Sequence, residues 1–120
     1  MQAKVAYAEE IKQEPLILTN LELISQYAKK YGNNERVSKN IATCESRLHQ
    51  FNADGTVLKG KVNPKDIGLF QVNEKYHLAD SRKLGMNIYE REGNVEYAMW
   101  LMSKQGTVPW NASKFCWQGK

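Results

Sequence analysis

The sequence predicts an α+β domain that is mainly α-helical and carries a small β-hairpin. Three observations support this fold class: apolar residues recur at helical spacing in capped segments, residues 52–66 are rich in turn formers, and 120 residues suffice for one domain with its own core. Hydrophobic residues make up 42% of the chain and charged residues 25%, proportions that are typical of soluble globular proteins.

Residues 1–18 are predicted to form an N-terminal arm, and residues 19–120 the domain itself. The arm has weak apolar patterning and is interrupted by Pro15. It contains no basic stretch followed by an apolar one, so we expect no export signal within this chain. No uninterrupted apolar run approaches the length of a membrane-spanning helix, which predicts that no segment crosses a membrane.

Two capped helices are predicted at the start of the domain. Thr19 and Glu22 form a capping box, apolar residues follow at helical spacing, and Gly32 is a natural C-terminal stop. Asn33 or Asn34 can cap the second helix. Its apolar stripe comprises Val37, Ile41, Cys44 and Leu48.

A short hairpin and two further helices are predicted next. Residues 56–58 and 61–62 can form two short strands of a hairpin or flap, because turn formers surround them. Residues 75–84 are predicted to form a helix that a glycine ends. A longer helix is predicted with Asn94 as its cap and Gly106 as its stop, and the aromatic C-terminal tail is expected to pack beneath a cleft.

Two carboxylates, Glu45 and Asp66, bracket the turn-rich stretch and are the candidate catalytic residues. Glu45 lies beside the apolar stripe near the C-terminal end of the second helix, where its neutral form is favoured. Glycosidic bond cleavage requires a carboxylic acid that is still protonated near neutral pH, and a second carboxylate can complete the pair. The alternatives are a solvated glutamate at a helix end and an aspartate that serves a turn.

Several polar and aromatic side chains are candidates for binding a hydroxyl-rich ligand. Gln71 and Asn73 alternate with apolar residues, so an extended segment would place both amides on one face, towards either a cleft or solvent. Tyr76, His77 and Trp110 can stack on the apolar face of a sugar ring, with core packing as the competing interpretation for Trp110.

The sequence predicts no metal, no cofactor and no nucleic-acid partner. His49 and His77 have no convincing ligand residues at metal spacing, and nucleotide-binding glycine motifs are missing. The net charge of +4 comes from scattered lysines and arginines. Cys44 and Cys116 are either two buried thiols or one disulfide, which would close a loop worth roughly 4 kcal/mol and indicate an oxidising compartment.

Two ordered motifs resemble the lysozyme-like superfamily. A helix that ends in Glu45-Ser46 and is followed by a Gly-Leu-Phe-Gln-Val run resembles the soluble lytic transglycosylases, which cut bacterial peptidoglycan. The stretch from Asp66 to Asn73, Asp-Ile-Gly-Leu-Phe-Gln-Val-Asn, is also similar to the Asp-Tyr-Gly-Ile-Leu-Gln-Ile-Asn stretch of animal c-type lysozymes. The resemblance covers about residues 37–117. The transglycosylase Ala-Tyr-Asn-Ala-Gly motif and the other cysteines of c-type lysozymes are missing.

The resemblance implies a two-lobed, lysozyme-like domain with a β-hairpin flap and a cleft. It implies a muramidase that cuts the β-1,4 bond between N-acetylmuramic acid and N-acetylglucosamine, either as a lysozyme or as a lytic transglycosylase. It further implies a monomer that acts on peptidoglycan glycan strands outside the cytoplasm, whether in the cell wall, in the periplasm or with a phage. The alternative is a non-catalytic glycan-binding or structural module on the same fold.

The resemblance also assigns roles by position. Glu45 resembles the general acid and Asp66 the nucleophile or charge stabiliser. Cys44 and Cys116 resemble a bridge between the catalytic helix and the C-terminus, which favours the disulfide. The implied substrate-binding residues are Ser46, Gln71, Asn73, Tyr76, His77 and Trp110, the last also resembling the aromatic residue that desolvates the catalytic glutamate.

Overall fold

Residues 17–119 of a computed structural model form a mainly helical α+β fold, as predicted. The elements follow in the order α1 (Asn20–Tyr31), α2 (Glu35–Ser46), β1 (Asp66–Ile67), β2 (Val72–Asn73), α3 (Glu74–Lys83), α4 (Arg91–Gln105), a 3₁₀ helix (Val108–Ser113) and α5 (Lys114–Trp117). The predicted arm, residues 1–18, lies outside the described residues except for its last two. Among residues 17–119, no helix is both long and apolar enough to cross a membrane.

The caps predicted for the first two helices are confirmed. Thr19 Oγ1 accepts a hydrogen bond from the Glu22 amide at 3.1 Å, and Glu22 Oε1 accepts one from the Thr19 amide at 2.8 Å. Gly32 ends α1 in the left-handed conformation, with φ 73°. Asn34 caps α2 by accepting from the Val37 amide at 2.9 Å. These short-range bonds satisfy backbone donors that a helix start otherwise leaves unpaired.

The second helix ends earlier than its apolar stripe suggests. Its last residue is Ser46, so Leu48 lies beyond α2. Arg47 and Leu48 both adopt left-handed backbone conformations, with φ 55° and 63°. Such conformations are uncommon outside glycine and end the helical hydrogen-bond pattern. The resulting turn leaves Glu45 in the last turn of α2.

The β-structure differs from the predicted hairpin. The antiparallel pair consists of β1 and β2, with Asp66 opposite Asn73 and Ile67 opposite Val72. The predicted strands at residues 56–58 and 61–62 are wrong: within residues 17–119 this region contributes only isolated bridges, Phe51 to Val57 and Lys59 to Ile67. Asp54 and Asn63 explain the difference, since their side chains accept from the amides of Thr56 and Lys65 and so favour turns over a ladder.

The two later helices begin before their predicted starts. α3 begins at Glu74 because Asn73 caps it, and α4 begins at Arg91 with Glu90 as its N-cap. The prediction that Asn94 caps the longer helix is wrong, because Asn94 lies inside α4 and is fully buried. The predicted stop of that helix at Gly106 is confirmed.

Asn94 is buried because its amide binds the backbone of two other segments. Its Nδ2 donates to the Ile67 carbonyl at 2.8 Å and to the Ile88 carbonyl at 2.9 Å. Its Oδ1 accepts from the Phe70 amide at 2.9 Å. One side chain thereby satisfies three buried backbone groups, which would otherwise carry a desolvation cost.

Gln50 binds the same turn as Asn94, next to Gly68. Its Oε1 accepts from the Leu69 amide at 2.8 Å, and its Nε2 donates to the Ile88 carbonyl at 3.2 Å. A Cβ at Gly68 would lie 2.3 Å from Gln50 Oε1 and 2.7 Å from Asn94 Nδ2. Gly68 also has φ 70°. Both the space and the backbone conformation therefore require glycine here.

The apolar core joins the turn to the C-terminal segment. Trp110 packs edge-on against Phe70, and its Nε1 donates to the Phe70 carbonyl at 2.9 Å. Trp117 Nε1 donates to the Trp110 carbonyl at 3.2 Å. Phe115 is 90% exposed, so the expectation that the whole aromatic tail packs inside the protein is wrong for this ring. A disulfide between Cys44 and Cys116 ties α2 to α5.

Replacing Asn94 by alanine is expected to lower the free energy of unfolding by about 3 kcal/mol or more, since each buried backbone group left unpaired costs about 1–3 kcal/mol. Urea denaturation followed by circular dichroism measures the change. The control is Asn111→Ala at an exposed position, which we expect to stay within about 0.5 kcal/mol of wild type. A loss no greater than that of the control would contradict the role of Asn94.

Removing the disulfide is expected to lower the free energy of unfolding by about 4 kcal/mol, because the bridge limits the conformational freedom of the unfolded chain. The bridged residues are 72 positions apart. Denaturation of the oxidised and the reduced protein measures the loss. The Cys44→Ser/Cys116→Ser variant should have the same free energy of unfolding as the reduced protein, and adding reductant should not change it. Equal midpoints for the oxidised and reduced wild type would contradict this expectation.

Candidate active site

Two pockets that share part of their lining form a groove, and the two candidate carboxylates lie where the pockets adjoin. The groove consists of a larger pocket of about 520 Å³ and a smaller one of about 140 Å³. Glu45, Asp66 and Gln71 line both pockets. The structure therefore brings together two carboxylates and an amide at the point where the pockets meet, from α2, β1 and the turn that precedes β2.

The two pockets have different walls. The end of α2 and residues 58–63 line the larger pocket. The smaller pocket is bounded by β2, by His77 on α3, by Leu101 on α4 and by residues of the 3₁₀ helix. Every helix and strand of the described structure except α1 and α5 therefore contributes to a wall of the groove.

Glu45 is half-buried and has one hydrogen-bond partner, Ser113. Ser113 Oγ donates to Glu45 Oε2 at 2.5 Å. Burial raises the pKa of the Glu45 carboxyl above its ordinary value, the Ser113 hydrogen bond opposes this rise, and the charge of Asp66 adds to it. The balance of these influences is a raised pKa, so Glu45 keeps its proton to a higher pH than an ordinary glutamate does.

Ser113 is a site residue that the sequence did not indicate. It lies in the 3₁₀ helix, 68 positions after Glu45, and no local pattern joins two residues so far apart. The indole of Trp110, bonded to the Phe70 carbonyl, fixes this helix against the core. The serine hydroxyl reaches the carboxylate through that packing.

Asp66 is oriented from across the sheet. Asn73 Nδ2 donates to Asp66 Oδ1 at 3.0 Å, and the backbones of the two residues pair in the ladder. The other end of the Asn73 amide caps α3, since Oδ1 accepts from the Lys75 amide at 3.0 Å and from the Tyr76 amide at 3.3 Å. Asn73 thus joins the start of α3 to Asp66, and both ends of its amide have partners within the protein.

Gln71 lines the groove, although its backbone is not extended as the alternating pattern predicts. Its φ is 49°, so the extended segment expected to place Gln71 and Asn73 on one face is interrupted at Gln71. Its Nε2 donates to the Gly68 carbonyl at 3.0 Å. Both residues nevertheless line the smaller pocket, because the left-handed turn directs the chain into β2.

Three further predicted binding residues line the groove with restricted roles. Ser46 is 8% exposed, and its hydroxyl donates a hydrogen bond to the Ala42 carbonyl at 3.0 Å in the last turn of α2. Trp110 is 4% exposed, which leaves little ring surface for stacking on a sugar. His77 Nδ1 lies 2.8 Å from the Tyr97 hydroxyl. Burial lowers the pKa of His77, so its neutral form is favoured.

Tyr76 stands apart from the groove. Its side chain is 70% exposed and lines neither pocket. Among residues 17–119, no group of three or more His, Cys, Asp or Glu side chains is arranged to hold a metal ion. The residues that line the groove supply two carboxylates together with hydroxyl, amide, imidazole, ammonium and guanidinium groups.

Comparisons with protein-family models, with curated proteins and with solved structures give no match for this chain. The function is therefore inferred from the geometry of the groove and from the residues that line it.

The pKa of Glu45 is expected to move in opposite directions in two variants. Ser113→Ala removes a hydrogen bond to the charged form and should raise the pKa, whereas Asp66→Asn removes a neighbouring negative charge and should lower it. Carboxyl-carbon NMR titration of the labelled protein measures both shifts. Ser103→Ala, at an exposed serine on α4, should leave the titration unchanged. Shifts of the same sign in the two variants would contradict this assignment.

The same raised pKa sets the sign of a stability effect. Folded Glu45 binds its proton more tightly than unfolded Glu45, whose ordinary pKa is 4.5. Its contribution to stability is therefore fully present below that value and is lost as the pH rises through the folded pKa.

Proposed function

We propose that the protein is a muramidase that cuts the β-1,4 bond between N-acetylmuramic acid and N-acetylglucosamine in peptidoglycan. The observation that carries this proposal is the pair Glu45 and Asp66 at the junction of two pockets, with the pKa of Glu45 raised by burial. A proton donor beside a second carboxylate, with room for polymer on both sides, matches what cleavage inside a glycan strand requires.

Glu45 acts first as the general acid. Protonated Glu45 donates to the glycosidic oxygen as the bond to the leaving sugar breaks, and the resulting carboxylate then accepts a proton from the attacking nucleophile. Ser113 positions the group by holding Oε2, so that Oε1 is free of this bond and can carry the proton. The raised pKa keeps a larger protonated fraction as the pH approaches neutrality.

Asp66 stabilises the positive charge that develops on the sugar ring. Asn73 supports this role, because its donated hydrogen bond fixes the orientation of the Asp66 carboxylate. In a hydrolase, water completes the reaction after Asp66 has stabilised or trapped the oxocarbenium-like centre. In a lytic transglycosylase, the 6-hydroxyl of the muramic acid attacks instead and yields a 1,6-anhydro product, and Asp66 matters less.

The resemblance to the lysozyme-like superfamily supports the same proposal. That resemblance concerns two motifs, Glu45-Ser46 and the stretch from Asp66 to Asn73, and both contribute to one groove. The Cys44–Cys116 bridge supports a location outside the cytoplasm, where disulfides persist. A monomer suffices for the chemistry, since one chain supplies both carboxylates.

Mass spectrometry of the products released from purified peptidoglycan tests the proposal. Glu45→Gln is expected to lower the release of soluble muropeptides by about 100-fold or more, the usual range for loss of a general acid. Glu92→Gln, at an exposed glutamate in the first turn of α4, is the matched control and should retain wild-type activity. Thermal unfolding of each variant verifies that the fold is intact.

Asp66→Asn separates the two mechanisms in the same experiment. Anhydro-muropeptides that persist in Asp66→Asn and disappear in Glu45→Gln indicate a transglycosylase. Reducing-end products that are lost in both variants indicate a lysozyme with a carboxylate pair. A wild-type protein that binds peptidoglycan and releases no soluble product would overturn the enzyme proposal in favour of a glycan-binding module.

A further inference from the structure

The larger pocket contains three cations that the proposed chemistry does not use. Arg47, Lys59 and Lys61 line it together with the carboxylate pair. All three residues are exposed, and none forms an ion pair within the part of the chain that the structure describes. Positive groups that line a pocket and form no ion pair are available to a negatively charged ligand.

The cations are not among the groups that perturb the proton donor. The pKa of the Glu45 carboxyl is affected by its buried surroundings, by Ser113 and by Asp66, with no lysine or arginine among these groups. The larger pocket therefore holds the carboxylate pair together with three cationic residues, Arg47, Lys59 and Lys61, that are available to a ligand.

The loop that carries Lys59 and Lys61 is fixed to the strand that carries Asp66. The Gly60 amide donates to the Asp66 carbonyl at 2.9 Å, and Lys59 bridges to Ile67. A Cβ at Gly60 would lie 2.4 Å from the Asn63 carbonyl oxygen, so the loop is closely folded on itself. These contacts hold the backbone of both lysines beside the strand that carries Asp66.

We propose that these cationic residues bind anionic substituents of the glycan strand, so that the groove prefers anionic peptidoglycan to neutral glycan. The inference deepens the proposed function and rests on it. Two kinds of substituent supply the anion: carboxylates of the peptide stems on muramic acid, and phosphates of polymers attached to the wall. Either would meet the loop while the glycan backbone crosses the carboxylate pair.

Binding measured by isothermal titration calorimetry tests the proposal without turnover, in the Glu45→Gln background. The probes are a muropeptide tetrasaccharide with its peptide stems, a neutral tetrasaccharide of N-acetylglucosamine, which has no carboxylate, and the same neutral tetrasaccharide bearing a phosphate ester. We expect Lys59→Gln/Lys61→Gln to weaken binding of an anionic probe by about five-fold, the scale of two exposed charge pairs, and to leave the neutral glycan unaffected. Added salt should reduce the difference.

Two control variants separate charge from shape. Lys59→Arg/Lys61→Arg keeps both charges and should bind the anionic probes as the parent does. Lys104→Gln, at an exposed position on α4, removes a charge outside the groove and should change nothing. A loss confined to the stem-bearing probe identifies carboxylate as the anion, and a loss confined to the phosphate-bearing probe identifies phosphate; both support the proposal.

Two outcomes distinguish a failure of the anion-recognition proposal from a failure of the muramidase proposal. Equal affinity of the parent and the Lys59→Gln/Lys61→Gln variant for all three probes would overturn anion recognition, even if the wild type cleaves peptidoglycan. Charge-dependent binding of an anionic probe by a protein whose wild-type form releases no product would support anion recognition and overturn the muramidase proposal.

Discussion

The buried amides of Asn94 and Gln50 are the constraint on which the groove depends. Strands of two residues, such as β1 and β2, contribute too few ladder bonds to hold a turn in place by themselves. The two amides bind the turn on either side of Gly68, and both also bind the Ile88 carbonyl. Asp66 and Gln71 flank that turn, so their positions in the groove follow from hydrogen bonds made in the core.

The environment of Glu45 is assembled from the C-terminal segment in the same way. Phe70 lies at the end of the turn that Asn94 and Gln50 bind, and its carbonyl accepts a hydrogen bond from the Trp110 indole. This contact fixes the 3₁₀ helix that carries Ser113, and the disulfide joins Cys44, the neighbour of Glu45, to the following helix. The raised pKa of Glu45 is therefore a property of packing between distant segments. A change in the core therefore reaches the Glu45 carboxyl through these contacts.

The residues that line the groove are of two kinds: some bind other parts of the protein with their polar groups, and others are available to a ligand. Ser46 and Asn73 use their polar groups within the protein, the first at the end of α2 and the second between α3 and Asp66.

Gln71 is one of three described non-glycine residues with positive φ, the others being Arg47 and Leu48. Arg47 and Gln71 both line the larger pocket. Such conformations cost about 1–3 kcal/mol each and persist where surrounding contacts enforce them, which supports a functional role for the groove.

The sequence by itself determined the helical fold class, the capping box of α1, the cap of α2 and the stop of α4, because each depends on residues within about four positions of one another. It also identified Glu45 and Asp66 as a candidate pair. Only the tertiary structure decided the place of Asn94, whose partners Ile67 and Phe70 lie 27 and 24 positions away. It likewise decided the contact of Ser113 with Glu45 and the meeting of Arg47, Lys59 and Lys61 in the larger pocket. Hydrogen bonds between distant segments leave no spacing in the sequence, since their geometry exists only once the core has packed.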